Sequence, residues 1–255
     1  IEGKRIMGNV INKFNVDKYP FHDIVAKLFE VDDLSGVHLL DLELTKQKLL
    51  VQENEAETFF HKTFYKKLNE GWAELTDAYE NFITNELSKH IKGPFVFQKT
   101  PTFRAHVPNQ TAVSKWHFDS DPNHGHPDWE INIQIPLTEM KDTAATWAET
   151  VPGLGNYQPM NMEYGEYVMF DGNRCTHGNY PNETGKTRVS FDFRIIPCRK
   201  YDGFENNTYT TFKLDFIDDE SEHGDITRLN RPTSFYGRKW DTSPEGYYNF
   251  CENKE

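Results

Sequence analysis

Arg188-Val189-Ser190-Phe191-Asp192-Phe193-Arg194-Ile195 alternates without a break. Val189, Phe191, Phe193 and Ile195 make one apolar face; Arg188, Ser190, Asp192 and Arg194 make the other. Side chains along a β-strand point to opposite sides with a period of two, so this run is a strand with one face against a core and one wet face. The same texture extends upstream. From Phe95 to Pro197 the chain is rich in aromatic and β-branched residues, and it predicts strands near 95–98, 102–107, 112–119, 130–137, 144–150, 166–171 and 187–196. Pro108-Asn109, Pro122-Asn123, Pro152-Gly153 and Asp171-Gly172-Asn173 are the turn signals between them.

Before this region the period changes. Phe21, Ile24, Val25, Leu28 and Phe29 predict a short helix over 20–31. Trp72, Leu75, Tyr79, Phe82, Ile83, Leu87 and Ile91 predict a longer one over 69–91, closed by Gly93-Pro94. Helices followed by many short strands give a mainly β fold with N-terminal helices: a jelly roll of two sheets, cupin-like in outline. The expected organisation is a single domain over 1–255. Residues 1–93 are a largely helical support, 94–198 the jelly-roll catalytic core, and 199–255 a C-terminal extension packing on that core. Within the extension, Asp215 to Glu222 reads as an acidic, solvated loop. The rings of Phe235, Tyr236, Trp240, Tyr247, Tyr248 and Phe250 are expected to fold back onto the domain.

Composition narrows the class. The chain has 255 residues and a formal net charge of -12, which disfavours nucleic acid or an anionic membrane as the main partner. No apolar run reaches the roughly 20 residues of a membrane span. Cys175, Cys198 and Cys251 have neither disulfide-framework nor zinc-motif spacing, which fits a reducing, cytoplasmic setting. No signal peptide is visible from Ile1, although a start without Met leaves room for a removed leader.

Three His-x-Asp pairs occur: His117/Asp119, His126/Asp128 and His223/Asp225. Residues i and i+2 of a strand point the same way, so such a pair meets one ion when the middle residue is apolar and faces the other layer. His117-Phe118-Asp119 has that form, after the strand-like Ala112, Val113 and Trp116. His126 and Asp128 sit in a loop rich in Pro and Gly, and His124-Gly125-His126 reads as solvated. His223 and Asp225 have no later histidine to complete a site. The third ligand is expected to be His177, which follows the strand Tyr167-Val168-Met169-Phe170 and a turn. Two imidazoles and a carboxylate on one face leave three coordination positions open, the arrangement of non-haem Fe(II) oxygenases, though zinc accepts the same ligands. Arg188 comes eleven positions after His177 and Ser190 two beyond it, so one turn and an antiparallel return set a guanidinium and a hydroxyl near the metal to fork a carboxylate.

Together, His117-Phe118-Asp119, His177 and Arg188-x-Ser190 resemble the Fe(II)/2-oxoglutarate-dependent dioxygenase superfamily, over about residues 95 to 197. Trp116-His117-Phe118-Asp119, Pro136-Leu137-Thr138, Trp147-Ala148-Glu149 and Gly165-Glu166-Tyr167 are similar to its StrG-type branch, a relative of phytanoyl-CoA-hydroxylase-like enzymes. The resemblance implies a double-stranded β-helix in which His117, Asp119 and His177 bind Fe(II). It implies that 2-oxoglutarate chelates that iron and that Arg188, helped by Ser190, holds its far carboxylate. It further implies an enzyme that uses O2 to oxidise a small molecule while 2-oxoglutarate is decarboxylated to succinate and CO2. Halogenases of the superfamily carry a small residue where this chain keeps Asp119, so hydroxylation or a related oxidation is expected.

The remaining assignments stand on weaker patterns. Asn132 and Gln134 lie on the polar face of Ile131-Asn132-Ile133-Gln134-Ile135, where a buried amide bonds a carboxylate or substrate; Asn132 is taken as a co-substrate contact. Arg104, Trp116 and Trp147 are candidate substrate contacts. Arg194 is expected to pair with Asp192 or a neighbour. The acidic balance points to a cationic amine as substrate, while oligomeric state is left open. Two alternatives remain: a cupin-like metal enzyme that does not use 2-oxoglutarate, and a jelly-roll binding module without catalysis.

Overall fold

β9 (Arg188–Pro197) is the axis of the larger sheet. The structure, a computed structural model, describes residues 8–41, 58–91, 95–98, 100–111, 116–122, 126, 130–197, 214–218 and 225–227, the last two stretches by their backbone. One edge of β9 pairs with β4 (Ile131–Pro136), and the other with β3 (Thr102–His106) and then β2 (Phe95–Gln98). Beyond β4 come β7 (Glu166–Phe170) and β1 (Val10–Lys13); beyond β2 come β10 (Leu214–Asp218) and β11 (Asp225–Thr227). All these pairings are antiparallel, and they make an eight-stranded sheet. A smaller sheet has the order β6 (Gln158–Pro159), β5 (Thr146–Ala148), β8 (His177–Asn179). Two antiparallel sheets with helices on one side make a mainly β, cupin-type jelly roll with N-terminal helices.

Alternation decides what each face meets. Val189, Phe191, Phe193 and Ile195 of β9, Ile133 and Ile135 of β4, Phe103 of β3 and Tyr167 of β7 share one core with the helices α1 (Phe21–Phe29), α2 (Phe59–Glu70) and α3 (Ala73–Asn85). Phe64 stacks on Phe103 with ring centroids 4.4 Å apart, and Phe21 meets Phe191 edge-on at 5.8 Å. Each such ring fully removed from water contributes about 1.5–3 kcal/mol. The opposite face looks into the roll, where Val168 and Phe170 of β7 join Ala148 of β5, Met140, Met160 and Met162. The polar side chains of β9 point there too. Two of them are not wet: Arg188 is 2 % exposed and Ser190 0 %.

Several expectations need correction. The long helix is shorter, ending at Asn85 before a separate 3-10 turn over Leu87–Lys89. α2 was not expected; its apolar Phe60 and Phe64 are hidden among Lys62, Lys66 and Lys67. Residues 116–119 are not a strand: His117 makes an isolated bridge and Asp119 enters a turn, while 112–115 lie outside the described residues. The acidic loop is in part a strand, because Leu214-Asp215-Phe216-Ile217-Asp218 pairs as β10 with β2. Residues 219–222, the tail rings from Phe235 to Phe250, Cys198 and Cys251 lie outside the described residues. No helix among the described residues is long and apolar enough to cross a membrane.

Candidate metal centre

His117 and His177 are joined through their backbones: each N–H donates to the other's carbonyl, at 3.1 and 2.8 Å. This bridge fastens the 116–122 segment to the start of β8 and brings the two rings to 4.6 Å. The next turn is fastened just as firmly. Asp119 N–H donates to Gly172 O at 2.9 Å, and Ser120 donates to Asn173 O from both its N–H and its hydroxyl. The carboxylate of Asp119 thereby faces both imidazoles, with Oδ1 3.4 Å from His117 Nε2 and 3.7 Å from His177 Nε2. Ligand atoms about 2.1 Å from an ion on adjacent octahedral corners lie about 3 Å apart, so a small closure seats a metal.

The protonation states favour a metal. His177 Nδ1 donates to Cys175 O at 3.0 Å, which leaves Nε2 as the lone-pair nitrogen. Burial pushes the His177 imidazole down to about 4, and neighbouring His117 adds to it, so the ring is neutral. Burial pushes the Asp119 carboxyl up, but Arg194, the adjoining His117 and the nearby His126 and His177 outweigh it and hold the group well below the usual carboxylate range. Its two oxygens divide the work. Oδ2 accepts from Asn132 Nδ2 at 2.7 Å and from Arg194 Nε and a terminal nitrogen at 3.4 Å each. Oδ1 is buried and has no hydrogen-bond partner. A buried carboxylate oxygen without a donor is costly; a cation between it and the two imidazoles relieves that cost. The donor set and the orphaned oxygen therefore fit a metal ion.

Glycines make the approach possible. A Cβ on Gly172 would stand 2.7 Å from the carboxamide carbon of Asn132, so a larger residue would push away the donor to Asp119. Arg188 enters from β9 at the far end of the same interior. Acceptors aim it: Ala144 O at 3.2 Å from Nε, Ser190 Oγ at 2.9 Å, Asn179 Oδ1 at 2.8 Å and His106 Nδ1 at 3.5 Å.

No family model matches the sequence. The chain is 30% identical to the streptomycin biosynthesis protein StrG of Streptomyces griseus over 190 residues, which span 74% of this chain and 85% of that protein. The chain belongs to the StrG family. Similar solved structures include CytC3 with Fe(II) and alpha-ketoglutarate, at 17% identity over 92% of this chain and 94% of that one, with a TM-score of 0.49. EctD from S. alaskensis with bound Fe is 15% identical over 76% of this chain and 74% of that one, with a TM-score of 0.41.

In this StrG relative the other expected site residues fall in different places. Asn132 touches the metal-facing carboxylate itself. Arg104 lies on the inner side of β3, with Nε 3.1 Å from Asp192 Oδ1. Trp116 and Trp147 do not face the triad. Gly178 points away from His177, its neighbour on β8, and a Cβ on Gly178 would strike the Trp116 ring. Trp147 is the cross-strand partner of Gly178, so both indoles lie on the outer face of the small sheet, where they flank Tyr180. They are not walls of the interior site.

Arg194 does more than the expected pairing with Asp192, whose Oδ2 lies 3.5 Å away, because it also reaches Asp119. Nothing local in sequence signals that second partner; the β4–β9 register creates it by setting Asn132 opposite Arg194. His126 is not solvated. Its Nδ1 lies 2.8 Å from Glu130 Oε2, with both side chains buried. Asp119, His126 and Glu130 are close enough together to hold an ion, but Arg194 already holds Asp119 from the oxygen turned away from the histidine pair, and its charge opposes a second cation. Asp128 and His223 lie outside the described residues.

Proposed function

We propose that this protein is a non-haem Fe(II)/2-oxoglutarate-dependent oxygenase that hydroxylates a small molecule. The observation that carries the reading is Asp119 Oδ1: buried, without a hydrogen-bond donor, and aimed at two imidazoles whose Nε2 atoms face it. His117, Asp119 and His177 would hold the ion. Bound iron supplies the activation of O2 and the oxidation of substrate, coupled to decarboxylation of 2-oxoglutarate to succinate and CO2. The chain's own part is positional. Asn132 and Arg194 fix the carboxylate so that one oxygen is presented. Arg188 with Ser190 grips the distal carboxylate of the keto acid by a charge-assisted fork. The two sheets and the methionine-lined side of the interior keep water from the reacting groups.

A cationic amine is the substrate class that the net charge of -12 favours. The pairing of β10 with β2 supports reading 199–255 as an extension of one catalytic domain. The cysteine spacing supports a cytoplasmic setting. The buried Arg188 weighs against a metal enzyme that does without a dicarboxylic co-substrate. Anaerobic addition of Fe(II) and 2-oxoglutarate is expected to give a weak visible charge-transfer band, and a succinate-release screen across amino acids, amino sugars and acyl thioesters to identify the substrate class. A protein that gives neither the band nor succinate is not this enzyme.

A further inference from the structure

Pro136-Leu137-Thr138 ends β4, and the side chain of Thr138 continues the pairing that the strand gives up. Pro136, opposite Ser190, is the last residue of the β4–β9 register. Past it, the N–H groups of Leu137 and Thr138 both turn to one acceptor, Val189 O, at 2.8 and 3.3 Å. The next groups along that edge of β9 are Val189 N–H and Thr187 O. Both are met by the Thr138 hydroxyl: Oγ1 accepts from Val189 N at 2.9 Å and donates to Thr187 O at 3.1 Å. Thr138 is 6 % exposed, so water competes little for either bond.

These two bonds bracket a single α carbon. Thr187 O belongs to the peptide unit that enters Arg188, and Val189 N–H to the unit that leaves it. Each unit is a rigid plane, so the two planes together set φ and ψ of Arg188. One oxygen atom thereby fixes the direction in which the Arg188 side chain leaves the strand. On its other edge Arg188 is paired with His106 of β3. The connection that begins at Thr138 also reaches the side chain itself, since Ala144 O accepts from Arg188 Nε at 3.2 Å. A long side chain magnifies any error at its root, and a planar fork on a carboxylate tolerates little misdirection. The Thr138 hydroxyl hydrogen is spent on Thr187 O, so Thr138 acts on a ligand only through Arg188.

We infer that Thr138 is a positioning residue: its hydroxyl sets the backbone of Arg188, and through it the aim of the guanidinium at the far carboxylate of the keto acid. This rests on the functional reading above.

The test uses the full chain with Mn(II) and without O2, at a temperature well below the melting midpoint of each variant. Calorimetry reads the affinity for Mn(II), for 2-oxoglutarate and for pyruvate, a keto acid without the far carboxylate. Thr138→Val keeps the outline of the side chain but neither donates nor accepts. It is expected to bind 2-oxoglutarate about tenfold more weakly, with Mn(II) and pyruvate affinities unchanged. Thr138→Ser, which restores the hydroxyl, is expected to return 2-oxoglutarate affinity toward wild type. Thr138→Ala takes the place of the valine variant if that one does not fold. Unaltered 2-oxoglutarate affinity in Thr138→Val overturns this inference alone. So does an equal loss for Mn(II) or pyruvate, which makes the hydroxyl a general brace of the sheet end, and so does a serine variant as weak as the valine one. A wild-type protein that takes up no 2-oxoglutarate overturns the functional reading along with it.

Discussion

Gly178→Ala is a one-carbon perturbation with a calculable consequence. Gly178 has no positive φ, so alanine is tolerated by the backbone and the effect is steric. The new Cβ would stand 2.8, 2.9 and 3.1 Å from Cδ2, Cγ and Cε2 of Trp116. Carbon atoms settle at about 3.5–4.0 Å, so the indole must retreat by roughly 0.7 Å or more. Tyr157 and Tyr180 stand against it with ring centroids at 4.8 and 5.2 Å. Trp116 is also bonded to His117, whose backbone is locked to His177. Overpacking of this kind costs about 1–3 kcal/mol. At roughly 2–4 °C per kcal/mol for a domain of this size, the melting midpoint falls by about 2–12 °C. Displacing His117 from its seat is expected to weaken metal binding by about tenfold or more. Differential scanning calorimetry and an anaerobic Fe(II) titration read the two effects. Gly36→Ala is the control, because its Cβ would meet only Leu39 Cδ1 at 3.9 Å. If Gly178→Ala melts and binds metal like wild type, the packing argument and the coupling to His117 are both wrong.

Asp119→Ala removes the carboxylate shared by the triad, and equilibrium dialysis is expected to show loss of Fe(II) together with loss of succinate release; full metal loading in the variant would refute the assignment. Arg188→Lys keeps the charge but loses the planar fork, so 2-oxoglutarate affinity is expected to fall by about tenfold to a hundredfold in a calorimetric titration. Asn132→Leu leaves the Asp119 carboxylate without its 2.7 Å donor, and metal affinity is expected to drop by about tenfold to a hundredfold while the keto acid grip at Arg188 stays intact. Glu149 gives a pH signature. Burial pushes its carboxyl up, but the N–H groups of Thr176, Gly155 and Gly153 outweigh it and leave the group below its ordinary value. Its contribution is complete above the unfolded value of about 4.3 and is lost as pH falls through the lower folded value. Melting curves of wild type and Glu149→Gln should stay about 1–3 kcal/mol apart at neutral pH and converge below about pH 4; a gap that persists in acid would contradict the role of the charge.

Local patterns are legible in this sequence; long-range register is not. The alternation in β9 marks which side chains meet the helices, because a period of two is a property of the strand itself. His117 and Asp119 stand out for the same reason, yet the strand expected there is a single bridge followed by a turn. Convergence on His177 comes from the docking of that turn on Gly172 and Asn173, more than 50 positions later, which no local spacing encodes. The second partner of Arg194 was invisible for the same reason. The misplacement of Trp116 and Trp147 had a usable signal: neighbours in extended chain face opposite ways, so a residue beside His117 points away from what His117 binds. β8 gave little warning, since His177-Gly178-Asn179 lacks the β-branched residues that announce a strand.

The two-sidedness of β9 makes correct assembly and chemical competence a single condition. Sliding that strand by one residue against β4 would send Arg188, Ser190, Asp192 and Arg194 into the oily layer beneath the helices and turn four apolar side chains toward the ligands. A misregistered molecule would be both unstable and chemically inert, so quality control that removes unstable chains would clear the inactive ones as well.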